Sequence, residues 1–226
     1  MSLKNRRILI TAGPTWVAID SVRVISNTAS GETGTLLAQA LAKEGAQVTL
    51  LMGPCGTRKE NKKVRIIDFR FFEELERLLE KELSGGRYDA VVHSAAVSDF
   101  RPVRGFKGKI DSGKSLTLKL TRTPKLIELI RKKTPGALLV GFKFEPESSP
   151  KTLIEEARKL GKQSKCNLVV ANTVHKGSYR ALIVAPEGMI PEAGTKEELV
   201  DLLVMYLDAY FSRKPHSATC SCCKGR

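Results

Sequence analysis

The chain contains few of the features that mark membrane, secreted or metal-binding proteins. Its longest apolar stretches, such as 138–142, are far too short to span a bilayer. No charged start followed by a long apolar run, the pattern of a secretory signal, is visible at its beginning. Five cysteines do not indicate a disulfide scaffold in a chain of 226 residues, and three histidines are too few for a histidine-rich metal site. We therefore expect a cytoplasmic protein that contacts no membrane and whose side chains form no metal site.

An excess of basic residues gives the chain a net charge of +14. Basic proteins attract nucleic acids, anionic membranes or small polyanions, and charge alone does not choose among these partners. Lys and Arg are spread along the sequence, without a basic arm or an aromatic-interleaved stacking motif. Phosphorylated substrates would account for the charge, so we expect no nucleic-acid partner. A solvated surface is the simpler explanation for most of it.

Hydrophobic patterning predicts an alternation of strands and helices. Short apolar runs predict strands at 7–11, 46–51, 64–67, 88–93, 138–142, 168–171 and 180–184. Helical spacing predicts helices between most of them, and residues 115–120 alternate as a half-exposed strand does. This order predicts an α/β fold, a Rossmann-like three-layer sandwich with a mainly parallel sheet. We assign it to residues 1–212 and expect the polar tail 213–226 to be disordered.

Residues typical of a helix N-terminus stand at four places: Ser30 with Gly31, Thr123 with Pro124, Ser149 with Pro150, and 195–198. Ser and Thr can cap a helix with the side-chain oxygen, and Pro suits the first helical position. The segment 195–198 (TKEE) has the spacing of a capping box. Since ligands of parallel sheets bind beyond the carboxyl ends of the strands, the candidate site lies in the loops after the predicted strands.

Gly13 lies in the first of these loops, and residues 26–34 (SNTASGETG) open the helix that follows. A glycine-bearing turn before a helix exposes backbone N–H groups and the positive end of the helix dipole, which suits a phosphate. Asn27 can both donate and accept hydrogen bonds beside that turn. The dinucleotide fingerprint G-x-G-x-x-G is absent, because these glycines do not directly follow the strand. Turn formation alone would also explain the glycines and Asn27, so both interpretations stay open.

The loop after the strand 88–93 combines small residues with Asp99. Small side chains let a flat ligand approach the backbone, and the acid could contact a ribose hydroxyl or a metal-bound water. Tight packing with a surface carboxylate is the alternative, and His93 is expected to be a packed residue. Residues 107–110 (KGKI) form a glycine-bearing basic loop that could close over phosphates or simply be solvated.

Two other function classes are compatible with parts of the sequence. An NAD(P)-dependent short-chain reductase would use a Tyr-x-x-x-Lys pair, which Tyr210 and Lys214 supply, but this pair ends the last predicted helix. A nucleic-acid-binding protein is supported only by the charge. The tail residues His216, Cys220, Cys222 and Cys223 could bind zinc, although their cramped spacing favours an oxidisable, disordered tail.

Together the motifs resemble the phosphopantothenoylcysteine synthetase (phosphopantothenate–cysteine ligase) family. The matching segments run in order from Ile8 to Asn172: ITAGPT, IDSVR, ISNTASGETG, HSAAVSDFRPV, GKI with Ser112, TPKLIELI, GFKFE and VVAN. The combination of IDSVR, ISN, SG and G is specific, and the resemblance covers nearly all of the globular part. No flavin-dependent decarboxylase half precedes it, so the chain resembles the stand-alone type.

This resemblance implies a ligase that joins 4'-phosphopantothenate to L-cysteine through an acyl-nucleotide, in coenzyme A biosynthesis. It also implies a homodimer, with Mg²⁺ and with CTP or ATP as co-substrate. The implied catalytic residues are Asn27, which engages the acyl-nucleotide, and Lys109, on a mobile loop. The implied nucleotide-binding residues are Gly13, Ser30, Gly31, Gly34, Ala95, Ala96, Asp99, Pro124, Phe142 and Asn172.

Two departures from the bacterial bifunctional members leave the nucleotide open. Those members have a GG-T turn and a KIKK loop, where this chain has GPT at 13–15 and KIDS at 109–112. The KI-x-S form and the GFKFE segment are more similar to stand-alone or eukaryotic-type enzymes. The bacterial type uses CTP and the eukaryotic type can use ATP.

Overall fold

Strands and helices alternate along the described part of the chain, which in the computed structural model comprises residues 2–55, 62–85, 88–111, 113, 115–186 and 188–213. The strands are β1 Arg7–Ala12, β2 Trp16–Ala18, β3 Val24–Ser26, β4 Gln47–Met52, β5 Val64–Asp68, β6 Ala90–His93, β7 Phe100–Pro102, β8 Leu120–Arg122, β9 Leu138–Phe144, β10 Leu168–His175, β11 Ser178–Ala185 and β12 Gly188–Ala193. The helices are α1 Glu32–Lys43, α2 Phe72–Leu83, α3 Leu126–Lys133, α4 Pro150–Ser164 and α5 Lys196–Arg213.

Eight strands form one sheet in the order β12–β11–β10–β9–β6–β1–β4–β5. Neighbours from β10 to β5 are parallel, whereas β11 and β12 extend the sheet with antiparallel pairs. From β1 the chain builds outward through β4 and β5, and it then crosses to β6 on the other side of β1. The strand order therefore reverses between β1 and β6, and such a reversal opens a crevice beyond the carboxyl ends of the two strands.

Helices cover both faces of this sheet. Because successive strand residues point to opposite faces, Ile8 and Ile10 of β1 join one core and Leu9 joins the other. The first core packs under α1 and α5, and the second packs under α2, α3 and α4. The predicted three-layer α/β sandwich is confirmed. In the part of the chain that the structure describes, no helix has the length and apolar character needed to cross a membrane.

Two small hairpins outside the main sheet were not predicted. β2 pairs with β3, and β7 pairs with β8, each over three residues. Segments this short and this exposed carry too few residues for a hydrophobic period to be recognised. The predicted strand at 115–120 is wrong for all but its last residue, because β8 begins at Leu120. Alternation of apolar and polar residues does not by itself supply a pairing strand.

Two of the predicted helix caps are confirmed. The Thr195 Oγ1 atom accepts from the Glu198 amide at 3.1 Å, and the Glu198 carboxylate accepts from the Thr195 amide at 3.2 Å, which completes a capping box. Ser149 Oγ likewise accepts from the Thr152 amide at 3.2 Å.

The cap predicted at Thr123 and Pro124 is wrong. α3 begins at Leu126 after Lys125, and the Thr123 hydroxyl instead donates to the Ser98 carbonyl at 2.7 Å. A distant segment therefore takes the hydroxyl that local spacing assigned to the helix.

Arg131 on α3 ties that helix to the ends of neighbouring elements. Its Nε donates to the Lys165 carbonyl at 3.1 Å, and its Nη2 donates to Asn167 Oδ1 at 2.8 Å. Asn167 Oδ1 also accepts from the Leu139 amide at 2.9 Å, which brings β9 into the same network. The Nη1 atom donates at 2.9–3.1 Å to the carbonyls of Thr134, Pro135 and Ala137.

We predict that Arg131→Lys destabilises the fold by about 2–3 kcal/mol, because an ammonium cannot reach these carbonyls in several directions at once. The free energy of unfolding from urea denaturation measures the effect. Lys132→Gln, at the exposed next position, is the control and should change stability by less than about 0.5 kcal/mol. An equally small change for Arg131→Lys would contradict the assigned role.

Candidate active site

The loops that follow β1 and β6 are hydrogen-bonded to each other at the base of the crevice. The Ser94 amide donates to the Thr11 carbonyl at 3.1 Å, and the Ala96 amide donates to the Gly13 carbonyl at 2.9 Å. The Thr15 amide donates back to the Ala96 carbonyl at 3.3 Å. The two loops thus continue the pairing of the strands beyond the sheet. Gly13 and Ala96 are in direct contact there, and Ala95 lies between the two hydrogen-bonded residues Ser94 and Ala96.

Buried hydroxyl groups reinforce this junction. Thr15 Oγ1 accepts from the Ser98 amide at 2.9 Å, and Ser98 Oγ donates to the Thr15 carbonyl at 3.2 Å. Since Thr123 Oγ1 donates to the Ser98 carbonyl, the segment before α3 is held to the same loop. Sequence reasoning missed these three residues as parts of the site, because their partners are far away along the chain.

His93 lies at the end of β6 inside the junction. Its Nδ1 is 2.8 Å from Thr11 Oγ1, which also accepts from the Ala95 amide at 3.3 Å. Because Thr11 Oγ1 accepts one hydrogen bond, its own proton is available for His93 Nδ1. Burial lowers the pKa of His93 to about 4, so the imidazole is neutral at physiological pH. It is a packed residue, as predicted.

The start of α1 lies against the same junction. Gly31 precedes the helix with φ of 70°, and a Cβ there would stand 2.9 Å from both Met52 Cε and Cys55 Sγ. A Cβ on Gly34 would stand 2.5 Å from Ala12 Cβ, so this glycine lets the helix pack directly on the end of β1. Packing therefore requires both glycines.

The same arrangement leaves the α1 N-terminus without a side-chain cap from Gly31. The nearest substitute is Ser30 Oγ, which accepts from the Glu32 amide at a long 3.4 Å. Glu32 itself forms an ion pair with Lys196 at the start of α5. Weakly occupied amides at a helix N-terminus, with the helix dipole behind them, favour an anion.

Asn27 reaches across from the β2–β3 hairpin to the second loop. Its Nδ2 donates to the Ala96 carbonyl at 3.1 Å and to the Val97 carbonyl at 3.3 Å. Two carbonyl partners require the NH₂ group on that side, so the amide oxygen is the atom left for a ligand. Asn27 is exposed and therefore accessible from the crevice.

Asp99 ends the second loop and forms an exposed ion pair with Lys125 at 2.6 Å. Its carbonyl accepts from the Thr123 amide at 2.9 Å, so Pro124 is held next to it and is exposed. Phe142 on β9 and Asn172 on β10 lie farther along the same carboxyl edge, both half-buried. The predicted residues thus follow one edge of the sheet from β1 to β10.

Tyr179 on β11 is a polar neighbour that sequence reasoning missed. Its hydroxyl is buried, and no described residue forms a hydrogen bond with it. Burial raises the pKa of Tyr179 to about 12, and the nearby Asn172 side chain, outside hydrogen-bonding geometry, opposes the shift. A tyrosine in a run of alternating strand residues gives no signal of this kind, since the missing partner depends on three-dimensional packing.

Lys109 lies in a loop that is bonded to the turn between β2 and β3. The Phe106 amide donates to the Ile19 carbonyl, and the Ser21 amide donates to the Gly108 carbonyl, each at 3.2 Å. The Lys109 side chain is exposed. The structure therefore connects the Lys109 loop to the hairpin that leads into Asn27. Within the described part of the chain, Lys109 forms no hydrogen bond or ion pair with Ser30 or Gly31.

Several residues singled out in the sequence lie outside the described residues: Ser112, Lys214, His216, Cys220, Cys222 and Cys223. Tyr210, the other half of the reductase-like pair, lies on α5 with its ring edge-on to Phe211. The Phe211 ring contacts the Arg6 guanidinium, which directly precedes β1. Tyr210 is therefore at the amino end of the sheet, opposite the crevice.

The acidic side chains at the crevice fit only a magnesium ion that other ligands, such as waters and phosphates, hold for the most part. Within the described residues, no three His, Cys, Asp or Glu side chains are grouped closely enough to hold a metal ion. Mg²⁺ usually keeps several waters and binds through substrate phosphates and one or two carboxylates. Asp99 can provide one such carboxylate by exchanging Lys125. The side chains present thus fit a magnesium ion that arrives on a phosphate-bearing ligand.

Comparison with known proteins identifies the family to which the chain belongs. Residues 3–187 match the family model of the DNA/pantothenate metabolism flavoprotein C-terminal domain. The coenzyme A biosynthesis bifunctional protein CoaBC of Thermococcus kodakarensis is 42% identical over 76% of this chain and 42% of its own length. The protein of the same name from Methanocaldococcus jannaschii is 32% identical over 89% of this chain and 50% of its own length. The chain thus spans about half the length of these curated relatives.

A solved structure extends the match to the whole fold. The DNA/pantothenate metabolism flavoprotein from Streptococcus pneumoniae superposes with a TM-score of 0.82 at 26% sequence identity, covering 91% of this chain and 99% of that chain. The family match covers both loops of the crevice, the α1 start, the Lys109 loop and the carboxyl edge as far as Tyr179. The chain belongs to the DNA/pantothenate metabolism flavoprotein C-terminal domain family.

Proposed function

We propose that this protein is a phosphopantothenate–cysteine ligase, which forms phosphopantothenoylcysteine in coenzyme A biosynthesis. One observation carries the proposal: Asn27 is fixed by the Ala96 and Val97 carbonyls beside an α1 start that lacks a side-chain cap. A neutral acceptor therefore lies near helix N-terminal amides that would bind an anion, at the point where the strand order reverses. Membership of the family supports the same reaction, since the two relatives described above are named for coenzyme A biosynthesis.

The reaction proposed for this site has two steps. The phosphopantothenate carboxylate attacks the α-phosphorus of a nucleoside triphosphate, and pyrophosphate leaves. The cysteine amine then attacks the acyl carbon, the nucleoside monophosphate leaves, and the amine loses a proton. Charge shifts onto phosphoryl oxygens in the first step, where the α1 amides and the Lys109 ammonium would stabilise it. Neither step needs a nucleophilic side chain, which agrees with a crevice lined by small residues.

Asn27 would act mainly in the second step. Since its NH₂ group is occupied by protein carbonyls, its oxygen can accept a hydrogen bond from the amine of cysteine or from an N–H or O–H group of the pantothenoyl chain. A fixed acceptor of this kind orients the reacting groups without adding charge beside the phosphate. The neutral amide is therefore better suited than a carboxylate.

The nucleotide is CTP or ATP, and it would occupy the edge from Asp99 through Pro124 to Phe142 and Asn172. Mg²⁺ bound to the triphosphate would neutralise charge on the phosphoryl oxygens, with Asp99 as its protein contact. Lys125 would be released from Asp99 when the metal arrives, because the two cations compete for one carboxylate.

A homodimer is part of the proposal. The two hairpins and the chain next to them carry exposed apolar side chains, namely Val22, Val24, Phe100, Val103, Phe106, Leu116 and Leu120. An apolar surface of this kind is typical of protein–protein contacts. Light scattering of the purified protein measures the molar mass, and a monomeric mass at micromolar concentration would exclude the dimer.

Pyrophosphate release tests the reaction. The purified protein is incubated with phosphopantothenate and Mg²⁺, with each of the four nucleoside triphosphates in turn, in the presence and absence of cysteine. We expect pyrophosphate with CTP or ATP, and phosphopantothenoylcysteine by mass spectrometry only when cysteine is added. No release with any nucleotide would contradict the proposed function.

We predict that Asn27→Asp leaves nucleotide activation largely intact and stops amide formation. A carboxylate cannot donate to the Ala96 and Val97 carbonyls and is repelled by them, so the side chain would turn away and no longer hold its oxygen toward the cysteine amine. The expected sign is an accumulated acyl-nucleotide, trapped and identified by mass spectrometry. Ser26→Ala, which removes only a hydroxyl bonded to the Asn27 carbonyl, serves as the control and should turn over normally. Undiminished product formation by Asn27→Asp would contradict the role proposed for Asn27 in amide formation.

For Lys109→Gln we predict a loss of about 10²–10³ in the rate of activation, with much less effect on nucleotide affinity. The reason is that the ammonium would strengthen its contact as charge moves onto the leaving pyrophosphate. Single-turnover pyrophosphate release measures the rate. Lys107→Gln, two residues earlier in the same exposed loop, is the matched control. A change under about threefold for Lys109→Gln would contradict the catalytic role and show that Lys109 is a solvated surface lysine.

A further inference from the structure

Asp20 is a buried carboxylate in the turn between β2 and β3, and no role for it follows from the proposed reaction itself. Its side chain is 0% exposed, although the turn lies at the surface. The Oδ1 atom accepts from the Val22 and Arg23 amides at 2.8 and 2.7 Å, which is the bonding of an Asx-type turn. Burial of a charge is costly unless the charge is fully paired, so the second carboxylate oxygen, Oδ2, must also have partners.

That remaining oxygen, Oδ2, is used outside the turn. It accepts from the Ile110 amide at 3.0 Å and from Arg23 Nη1 at 2.6 Å. The same Arg23 nitrogen donates to the Ile110 carbonyl at 3.1 Å. Asp20 and Arg23 therefore hold both polar groups of one residue, Ile110, from a segment about 90 positions away in the chain. We call this arrangement of Asp20, Arg23 and Ile110 the clamp.

The clamp fixes the backbone on one side of Lys109, and another bond fixes the other side. Gly108 accepts through its carbonyl from the Ser21 amide at 3.2 Å. Lys109 thus stands between two held residues, while its side chain remains exposed. A turn that only needed local stability would not bond to this loop on both sides of a single lysine.

We propose that Asp20 is a positioning residue, which with Arg23 holds the loop so that the Lys109 ammonium faces the reacting phosphates. This inference rests on the proposed function for its catalytic consequence. Asp20 acts through Ile110 and touches no substrate. A preset loop would avoid the entropy of ordering a flexible segment in each turnover.

The clamp requires a charged carboxylate at position 20. The Ile110 amide, then the Val22 and Arg23 amides and the Arg23 guanidinium, hold the pKa of Asp20 well below its usual range despite burial. All its described partners are donors, so the carboxylate can accept from each of them. An asparagine would present an NH₂ group to at least one donor and break that bond.

Limited proteolysis tests the clamp without relying on catalysis. Trypsin cleavage after Lys109 in the native protein is followed by mass spectrometry for wild type, Asp20→Asn and the control Asp111→Asn. Asp111 is exposed in the same loop and accepts from the Gly113 amide at 3.1 Å. We expect cleavage about tenfold faster or more in Asp20→Asn, the scale expected for lost hydrogen bonds to a charged group, and no change in Asp111→Asn. Unchanged cleavage in Asp20→Asn overturns the clamp.

A double-mutant cycle tests whether Asp20 works through Lys109. Single-turnover pyrophosphate release is measured for Asp20→Asn, Lys109→Gln and the double variant. We expect Asp20→Asn to lower the rate about tenfold, and the double variant to be no slower than Lys109→Gln alone. Independent, multiplying losses would overturn the positioning role.

Two further controls keep the outcome interpretable. If Asp20→Asn does not fold, Arg23→Gln replaces it, because this change removes only the hydrogen bonds from Arg23 to the Ile110 carbonyl and to Asp20 Oδ2. The clamp then requires that Arg23→Gln also accelerates cleavage after Lys109 and that its rate loss does not multiply with that of Lys109→Gln. Absence of pyrophosphate release by the wild type would overturn the proposed function alone, because the cleavage experiment still reports on the clamp.

Discussion

The hydrogen bonds between the loops after β1 and β6 are the constraint on which the rest of the site depends. Both strands are buried and parallel, so the backbone that leaves them must find partners immediately beyond the sheet. Residues 11–15 and 94–98 supply them for each other. This pairing forms the floor of the crevice, and it turns the Ala96 and Val97 carbonyls toward Asn27.

Close packing at that floor explains the composition of the motifs around it. Gly34 lies too close to Ala12 for a side chain, and Gly31 lies too close to Met52 and Cys55. The same closeness leaves the α1 amides open to a ligand, since no N-cap side chain is present. The packing role and the anion-binding role of these glycines are therefore two consequences of one geometry.

Basic side chains neutralise the carboxylates around the crevice, so these carboxylates would repel a phosphorylated substrate less. Asp20 is bonded to Arg23, and Asp99 is bonded to Lys125. These pairs differ in accessibility, because the Asp20 side chain is fully buried and the Asp99 side chain is 62% exposed. Asp20 is therefore a fixed, fully paired anion, whereas the exposed Asp99 would lose little stability on releasing Lys125, as the proposed magnesium contact requires.

The sequence by itself determined the three-layer α/β fold and the succession of the main strands along the chain, because buried strands and amphipathic helices follow local periodicity. Its motifs, through their resemblance to known proteins, indicated the family. It also directed attention to the loops after the strands, because ligands of parallel sheets bind beyond the carboxyl ends of the strands. Only the tertiary structure decided which atoms meet: that Thr123 bonds to Ser98 instead of capping α3, that Asn27 offers its oxygen, and that Asp20 holds Ile110. These contacts join positions far apart in the chain, and a local pattern carries no information about a partner so distant.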